Sequence, residues 1–245
     1  MNKHFAAATA ALLILGTGSV AHTHSLSEVE HNISSKDKYV EVVNRPAPDF
    51  RLIDTEGRTV SLDDLKGKVV VLWFVYTSCP DVCPLHTKAV AAVQEQVNAT
   101  PMKDRVKFVT ISTDPARDTA KVRRDFAAAH GLDPMNSMFL SSGAEGSMAT
   151  RELAEQYGLK FTSMPDGMQM HGAVMHLIDR EGNLRARYHG MKFDPTNAII
   201  HINALTNDGL IKEHSHQSPS HRRDLTVWER IRSMFWSDQV TSSNE

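Results

Sequence analysis

The chain of 245 residues is 41% hydrophobic and 23% charged, an ordinary globular balance that is long enough for one large domain or two small ones. Its 27 Lys and Arg against 29 Asp and Glu leave a formal net charge of −2, so nothing suggests a nucleic-acid surface.

At the N-terminus, Lys3 supplies a positive start, Phe5 to Leu15 run apolar, and Ser19-Val20-Ala21 is a small-x-small cleavage site. Residues 1–21 are therefore expected to be an export signal. The apolar run is shorter than the roughly 20 residues of a membrane span, and a retained anchor extended through Gly16 to Val20 is the alternative. Either way the body is expected outside the cytoplasm, in the periplasm or attached to the inner membrane. A dithiol oxidises in that compartment unless it is kept reduced.

Residues 22–44 are polar, lack an apolar period and are expected to be a linker, with a folded domain following over residues 45–206. Arg45-Pro46-Ala47-Pro48 marks its entry. Asp49 to Ile53 and Arg58 to Leu62 flank the turn Asp54-Thr55-Glu56-Gly57, which predicts a hairpin. The continuous apolar run Val69 to Tyr76 predicts a central strand buried on both faces. A helix is predicted from Pro84 to Val97, a strand at Val106 to Ile111, and a helix from Thr119 to His130 that Gly131 stops. A short extended piece follows at Met138 to Leu140, then a helix from Glu145 to Tyr157 that Gly158 stops. Ala173 to Ile178 and Leu184 to Tyr188 form a second hairpin, and Asp194 to Leu205 the last core helix. This β-α-β-α-β-β-α order is that of an α/β, thioredoxin-like fold with an N-terminal β-hairpin and an inserted segment.

The only two cysteines lie in Val75-Tyr76-Thr77-Ser78-Cys79-Pro80-Asp81-Val82-Cys83-Pro84. β-formers end abruptly, a Cys-x3-Cys loop follows and a helical pattern begins, so two thiols sit at the end of a buried strand. That arrangement suits a soft metal or redox chemistry. A residue before proline is pushed out of the α region, which predicts both cysteines outside a regular helix, with Cys83 as the N-cap and Pro84 at the first helical position. The thiolate is the reactive and metal-binding form, and a helix N-terminus favours it, so Cys83 is expected to benefit. Three intervening residues make the loop wider than a Cys-x2-Cys redox site. Both sulfurs can then face one metal, and a disulfide is still permitted. Two thiolates alone are an incomplete site, so a third ligand is expected from elsewhere.

The segment Tyr76 to Pro84 resembles the signature of the Sco/SenC family of copper-binding proteins. Thr113-Asp114-Pro115-Ala116-Arg117-Asp118-Thr119 resembles the family's second motif. Met170-His171-Gly172 resembles its third, the metal-binding histidine before a core strand. The resemblance implies a thioredoxin-like domain that binds one copper ion, Cu(I) or Cu(II), through Cys79, Cys83 and His171. It implies a copper metallochaperone for the cytochrome c oxidase subunit bearing the dinuclear copper centre, with other copper chaperones as further partners. Some members are also credited with thiol-disulfide reduction of the same target.

The chemistry of the residues agrees with that implication. Two thiolates and an imidazole are a soft, low-coordinate set suited to Cu(I), and acceptable for Cu(II) with a further ligand, whereas zinc wants a fourth ligand. His176, within the strand where the family usually has an aromatic, is expected to be a core residue. Met170 stands where an acidic residue often precedes the histidine. Together with Met164, Met168 and Met175 it offers either soft thioethers or filling for irregular gaps. Asp81 and Asp114 are expected to orient the loop or tune the thiols, and Arg117 and Asp118 to pair with each other or with helix ends.

The tails carry His22, His24 and His31, and His214, His216 and His221, either weak metal collectors or solvated polar residues. Residues 207–245 are expected to be a polar tail ending in a helix. Val227, Trp228, Ile231, Met234 and Phe235 share one face of that helix, with Glu229, Arg230, Arg232 and Ser233 opposite. The pattern is compatible with contact to a membrane surface through residues 224–236, or with docking on protein. Three functions compete: a metallochaperone, a thiol-disulfide oxidoreductase using the same cysteines without metal, and a copper or redox sensor. His171 and the wide loop favour the first. No proline directly precedes the Ala173 strand, where thioredoxin-like reductases usually carry a cis-proline, so enzyme activity is not expected to be the main function.

Overall fold

The apolar run Val69–Val75 is a strand buried along its whole length, and the fold is built outward from it. The structure, a computed structural model, describes residues 25–143, 146–163, 169–170 and 172–216. The chain begins with α1 (Leu26–Lys36), β1 (Val40–Pro46) and the β2–β3 hairpin (Arg51–Ile53 with Thr59–Ser61). The central strand β4 (Val69–Val75), α2 (Val82–Asn98), β5 (Val106–Ser112), α3 (Ala120–Ala129) and β6 (Ser137–Leu140) follow. Next come α4 (Ser147–Gln156), the short pair β7 (Thr162–Ser163) and β8 (Gln169–Met170), β9 (Val174–Ile178), β10 (Asn183–His189) and α5 (Pro195–His216).

Six strands form one sheet in the order β1-β10-β9-β4-β5-β6. β4, β5 and β6 run parallel, and β9 is antiparallel to both β4 and β10. Successive side chains of a strand point to opposite faces, and β4 uses both. Val69, Val71, Trp73 and Val75 pack into a core shared with α1, α2 and α5. Val70, Leu72 and Phe74 pack into a second core with α4 and the β2–β3 hairpin. Each fully buried apolar side chain of this kind contributes about 1.5–3 kcal/mol, so β4 is a firmly fixed base for the loop that leaves it. The expected order of elements is present, and the Gly131 and Gly158 stops both adopt positive φ.

Two expectations are corrected. From Ser25 onward, the stretch expected as a linker is a capped helix and an edge strand paired with β10. Its few apolar residues hid this: α1 docks through only Leu26, Val29 and Ile33, together with the buried carboxylate of Glu30. Glu30 sits 2.9 Å from Arg185 and 3.4 Å from His201, both with low exposure. Asp37 accepts from the Asp194 and Asn197 nitrogens of the α5 entry. At the other end, α5 runs on to His216 rather than yielding to a polar tail at residue 207. The amphipathic segment at residues 224–236, the signal at 1–21, and His22, His24 and His221 lie outside the described residues. Among the described residues no helix is long and apolar enough to cross a membrane.

His176 is fully buried between the Phe74 and Tyr157 rings, as expected of a core residue. Its Nδ1 lies 3.2 Å from the Leu72 carbonyl oxygen and its Nε2 3.3 Å from that of Tyr157. A neutral imidazole has one N–H and can donate to only one of them. Burial, only partly offset by these carbonyls, pushes its pKa down to about 3. The unfolded chain takes up a proton near pH 6.5 and the folded chain does not, so stability falls as pH drops from 6.5 towards 3. His176→Phe is expected to lose less stability than the parent between pH 7 and pH 5, by about 2 kcal/mol. Urea unfolding at the two pH values checks this, and equal losses would exclude His176 as a source of acid sensitivity.

Candidate metal centre

β4 delivers the chain into the loop Tyr76-Thr77-Ser78-Cys79-Pro80-Asp81, and α2 begins at Val82. The loop turns at once, with the Cys79 N–H donating to the Tyr76 carbonyl at 3.2 Å. It lies beyond the carboxyl end of the parallel strands, the usual ligand position in open α/β sheets. Asp81 caps α2 with its backbone and makes no side-chain capping bond.

Cys79 is outside the helix, as expected. Cys83 is not the N-cap: it lies inside the first turn of α2, with Pro84 next. The first-turn N–H groups have no intrahelical acceptor, so Pro84 fits there as well as at the first position, and the helix starts earlier than the prolines suggest.

Both thiols are free, Cys79 half-buried and Cys83 buried, and their side chains are in hydrogen-bond contact. Their acidity splits in the opposite sense to expectation. Burial opposes ionisation of Cys79. The backbone N–H groups of Cys83 and Asp81, the Tyr76 hydroxyl and the Cys83 thiol donate to its sulfur and bring it below the ordinary thiol range. The helix N-terminus therefore serves Cys79. Burial pushes the Cys83 thiol up to about 12, and the nearby Cys79 and Asp118 charges push the same way. Tyr76 is held protonated by burial and by its bond to Cys79, so its hydroxyl remains a donor to that sulfur.

The second motif braces this loop from β5, in a way the sequence did not reveal. Asp118 is almost fully buried. Its carboxylate accepts from the Ser112 hydroxyl at 2.6 Å, from the Thr77 N–H at 3.3 Å and from the Thr77 hydroxyl. Burial, and then the neighbouring Asp114 charge, raise its pKa despite these donors. Thr113 continues the β4–β5 contact, its N–H donating to the Val75 carbonyl at 2.8 Å. Of the two expected arrangements for Arg117 and Asp118, a mutual pair or contacts with helix ends, the mutual pair is not formed: Arg117 pairs with Asp114, and Asp118 bonds Thr77 and Ser112. Thr77 and Asp118 are 41 residues apart, so no local pattern announces the contact. His86, buried on α2 one turn after Cys83, carries no such signal in the sequence either.

The structure brings Cys79 and Cys83 together. His171 lies outside the described residues, as do Met164 and Met168. Their described neighbours are informative. Trp73 pairs with Met175 in antiparallel register, so β9 begins where β4 ends, beside the thiol loop. The Gly190 N–H fixes the approach to β9 by donating to the Ala173 carbonyl at 2.7 Å. Met170 pairs through its backbone with Thr162, and Met175 is core filling. Among the described residues no three His, Cys, Asp or Glu side chains form a metal-holding group. Two adjacent sulfurs, one of them made more acidic by its hydrogen-bond donors, suit a soft monovalent or divalent ion.

A family model described as SCO1/SenC matches residues 42–207. The chain is similar to the SCO1 protein homolog of Bacillus subtilis, with 27% identity over 164 residues, covering 64% of this chain and 81% of that one. Among solved structures it is similar to BsSco, a member of the Sco family of cytochrome c oxidase assembly proteins in which a disulfide switch was identified. The TM-score is 0.60 with 25% identity, over 68% of this chain and 96% of that one. It is also similar to Arabidopsis thaliana ScoI with copper bound, with a TM-score of 0.52 and 28% identity, over 69% and 98% of the two chains.

Proposed function

We propose, from the premise that this chain belongs to the SCO1/SenC family, that it is a metallochaperone carrying one copper ion as cargo at Cys79, Cys83 and His171. It delivers that copper to the cytochrome c oxidase subunit that bears the dinuclear copper centre, in the periplasm or at the inner-membrane surface. The observation that carries this reading is the thiol pair itself. Two neighbouring sulfurs sit at a helix N-terminus, beside the start of β9, in a chain whose relatives include a copper-bound Sco structure. Copper needs thiolate donors, so Cys79 offers the first sulfur and Cys83 surrenders its proton as the ion enters. Loading therefore releases protons, and affinity rises with pH.

The split acidity also supports a second use, because a low-pKa accessible thiol beside a buried high-pKa one can attack a disulfide. That activity is secondary here. Insulin reduction near the rate of a dedicated thioredoxin would reverse the order of the two readings.

The ligand set is tested by titrating the reduced full chain with Cu(I) and Cu(II). One equivalent is expected, with His171→Ala weakening Cu(II) more than Cu(I), because two thiolates still hold Cu(I) linearly. Stoichiometric Cu(II) binding by His171→Ala with an unchanged spectrum would remove His171 from the site. No copper binding by the parent chain would remove the function.

A further inference from the structure

At the opposite end of β5 from the thiol loop lies a cavity of about 390 Å3, bounded by α3, β6 and the β2–β3 turn. That volume is in the range of small-molecule sites. We propose that it binds a small organic anion with an apolar body, of the class of an aryl or alkyl phosphate or carboxylate. This inference is independent of the copper reading.

Four cations line the cavity, Arg58, Lys107, Arg123 and Arg124, against two carboxylates, Asp54 and Glu56. Arg58 engages both carboxylates, at 2.7 and 3.1 Å. The other three cations have no carboxylate partner in the cavity, and the lining carries two more positive charges than negative. Arg123 is buried and donates only to carbonyl oxygens, those of Ile53, Phe139 and Asp54, and its Nε is buried without a hydrogen-bond partner. Arg124 places one nitrogen on the Thr55 carbonyl at 2.8 Å. Lys107 is half-buried among like charges: burial, then Lys68 and Arg58, hold its ammonium below the ordinary lysine range. Lys107, half-buried, gains most from an anion, because the low-dielectric wall strengthens the attraction, and the exposed Arg124 stands at the mouth.

Much of the remaining wall is apolar, formed by Leu132, Pro134, Met138 and Phe139, with Thr55 and Ser137 as its polar members. A bare inorganic ion leaves this wall unused, and a neutral apolar molecule leaves the cations unpaired. An anion carrying a short aliphatic or aromatic group satisfies both. Such a group occurs on a free solute and on a lipid headgroup or fatty acid.

The test titrates the full chain at low ionic strength with phenyl phosphate, inorganic phosphate and neutral benzyl alcohol. It adds vesicles with and without phosphatidic acid. Phenyl phosphate is expected to bind saturably and more tightly than either other solute. Lys107→Gln and Arg124→Gln should each weaken it about fivefold or more. Lys121→Gln, on the same helix but paired with Asp125, should leave it unchanged. Vesicle binding with the same dependence on Lys107 and Arg124 assigns a lipid source, and phenyl phosphate binding without it a free solute. Benzyl alcohol binding as tightly as phenyl phosphate would overturn the proposal. So would affinity unmoved by both variants, or a loss in Lys121→Gln as large as in the other two. Neither informative residue is a buried structural donor like Arg123, so unfolding does not confound the result.

Discussion

Cys79→Ala and Cys83→Ala are each expected to abolish tight copper binding by the reduced chain. Altering residues that merely orient metal ligands costs about 10- to 100-fold in affinity, and loss of one of two strong sulfur donors should exceed that. Competition with a Cu(I) chelator measures it, and wild-type affinity in either variant would refute the dithiol site. The two cysteines are not equivalent before copper arrives. Cys79 is half-buried and its thiolate accepts backbone N–H groups, whereas Cys83 is buried with a pKa near 12. Iodoacetamide at mildly alkaline pH should therefore label Cys79 well ahead of Cys83, as read by mass spectrometry of timed samples. The reverse order would mean that the helix N-terminus serves Cys83 after all.

The parts of the fold that follow from local pattern were legible in the chain. The β4 run is apolar at every position because both faces of the strand are covered, and Gly131 and Gly158 stop helices where positive φ is required. What escaped is held by contacts between distant residues. α1 appeared to be a linker because Glu30 is buried through Arg185 and His201, more than 150 residues away. The two prolines beside the cysteines suggested a late helix start, but the first turn of α2 accommodates Pro84 without losing a hydrogen bond. The acidity order of the thiols depended on that two-residue difference. With Cys83 inside the helix, the N–H groups of its first turn point at Cys79. The third ligand expected from the sequence, His171, lies outside the described residues, so its assignment rests on the motif and on where β9 begins.

Asp118→Ala is expected to destabilise the protein by about 2–3 kcal/mol, because the Thr77 N–H, the Thr77 hydroxyl and the Ser112 hydroxyl lose a buried acceptor. Asp118→Asn keeps one acceptor oxygen and should fall between. Both changes act on copper in two opposed ways. Removing the carboxylate charge makes the Cys83 thiol more acidic, since Asp118 is one of the groups that raise its pKa, and that favours loading. Releasing Thr77 loosens the start of the thiol loop, and that disfavours it. Asp118 is the last-ranked of the causes acting on Cys83, while it accepts from both the N–H and the hydroxyl of Thr77 at the start of the loop. Loosening should therefore win, lowering copper affinity about tenfold or more. Thermal melts with copper titration of both variants check this, together with the alkylation rate of Cys83, which should rise. A variant that melts and binds copper like the parent would mean the loop is held by β4 and α2 alone. A slower Cys83 alkylation would contradict the electrostatic part of the argument.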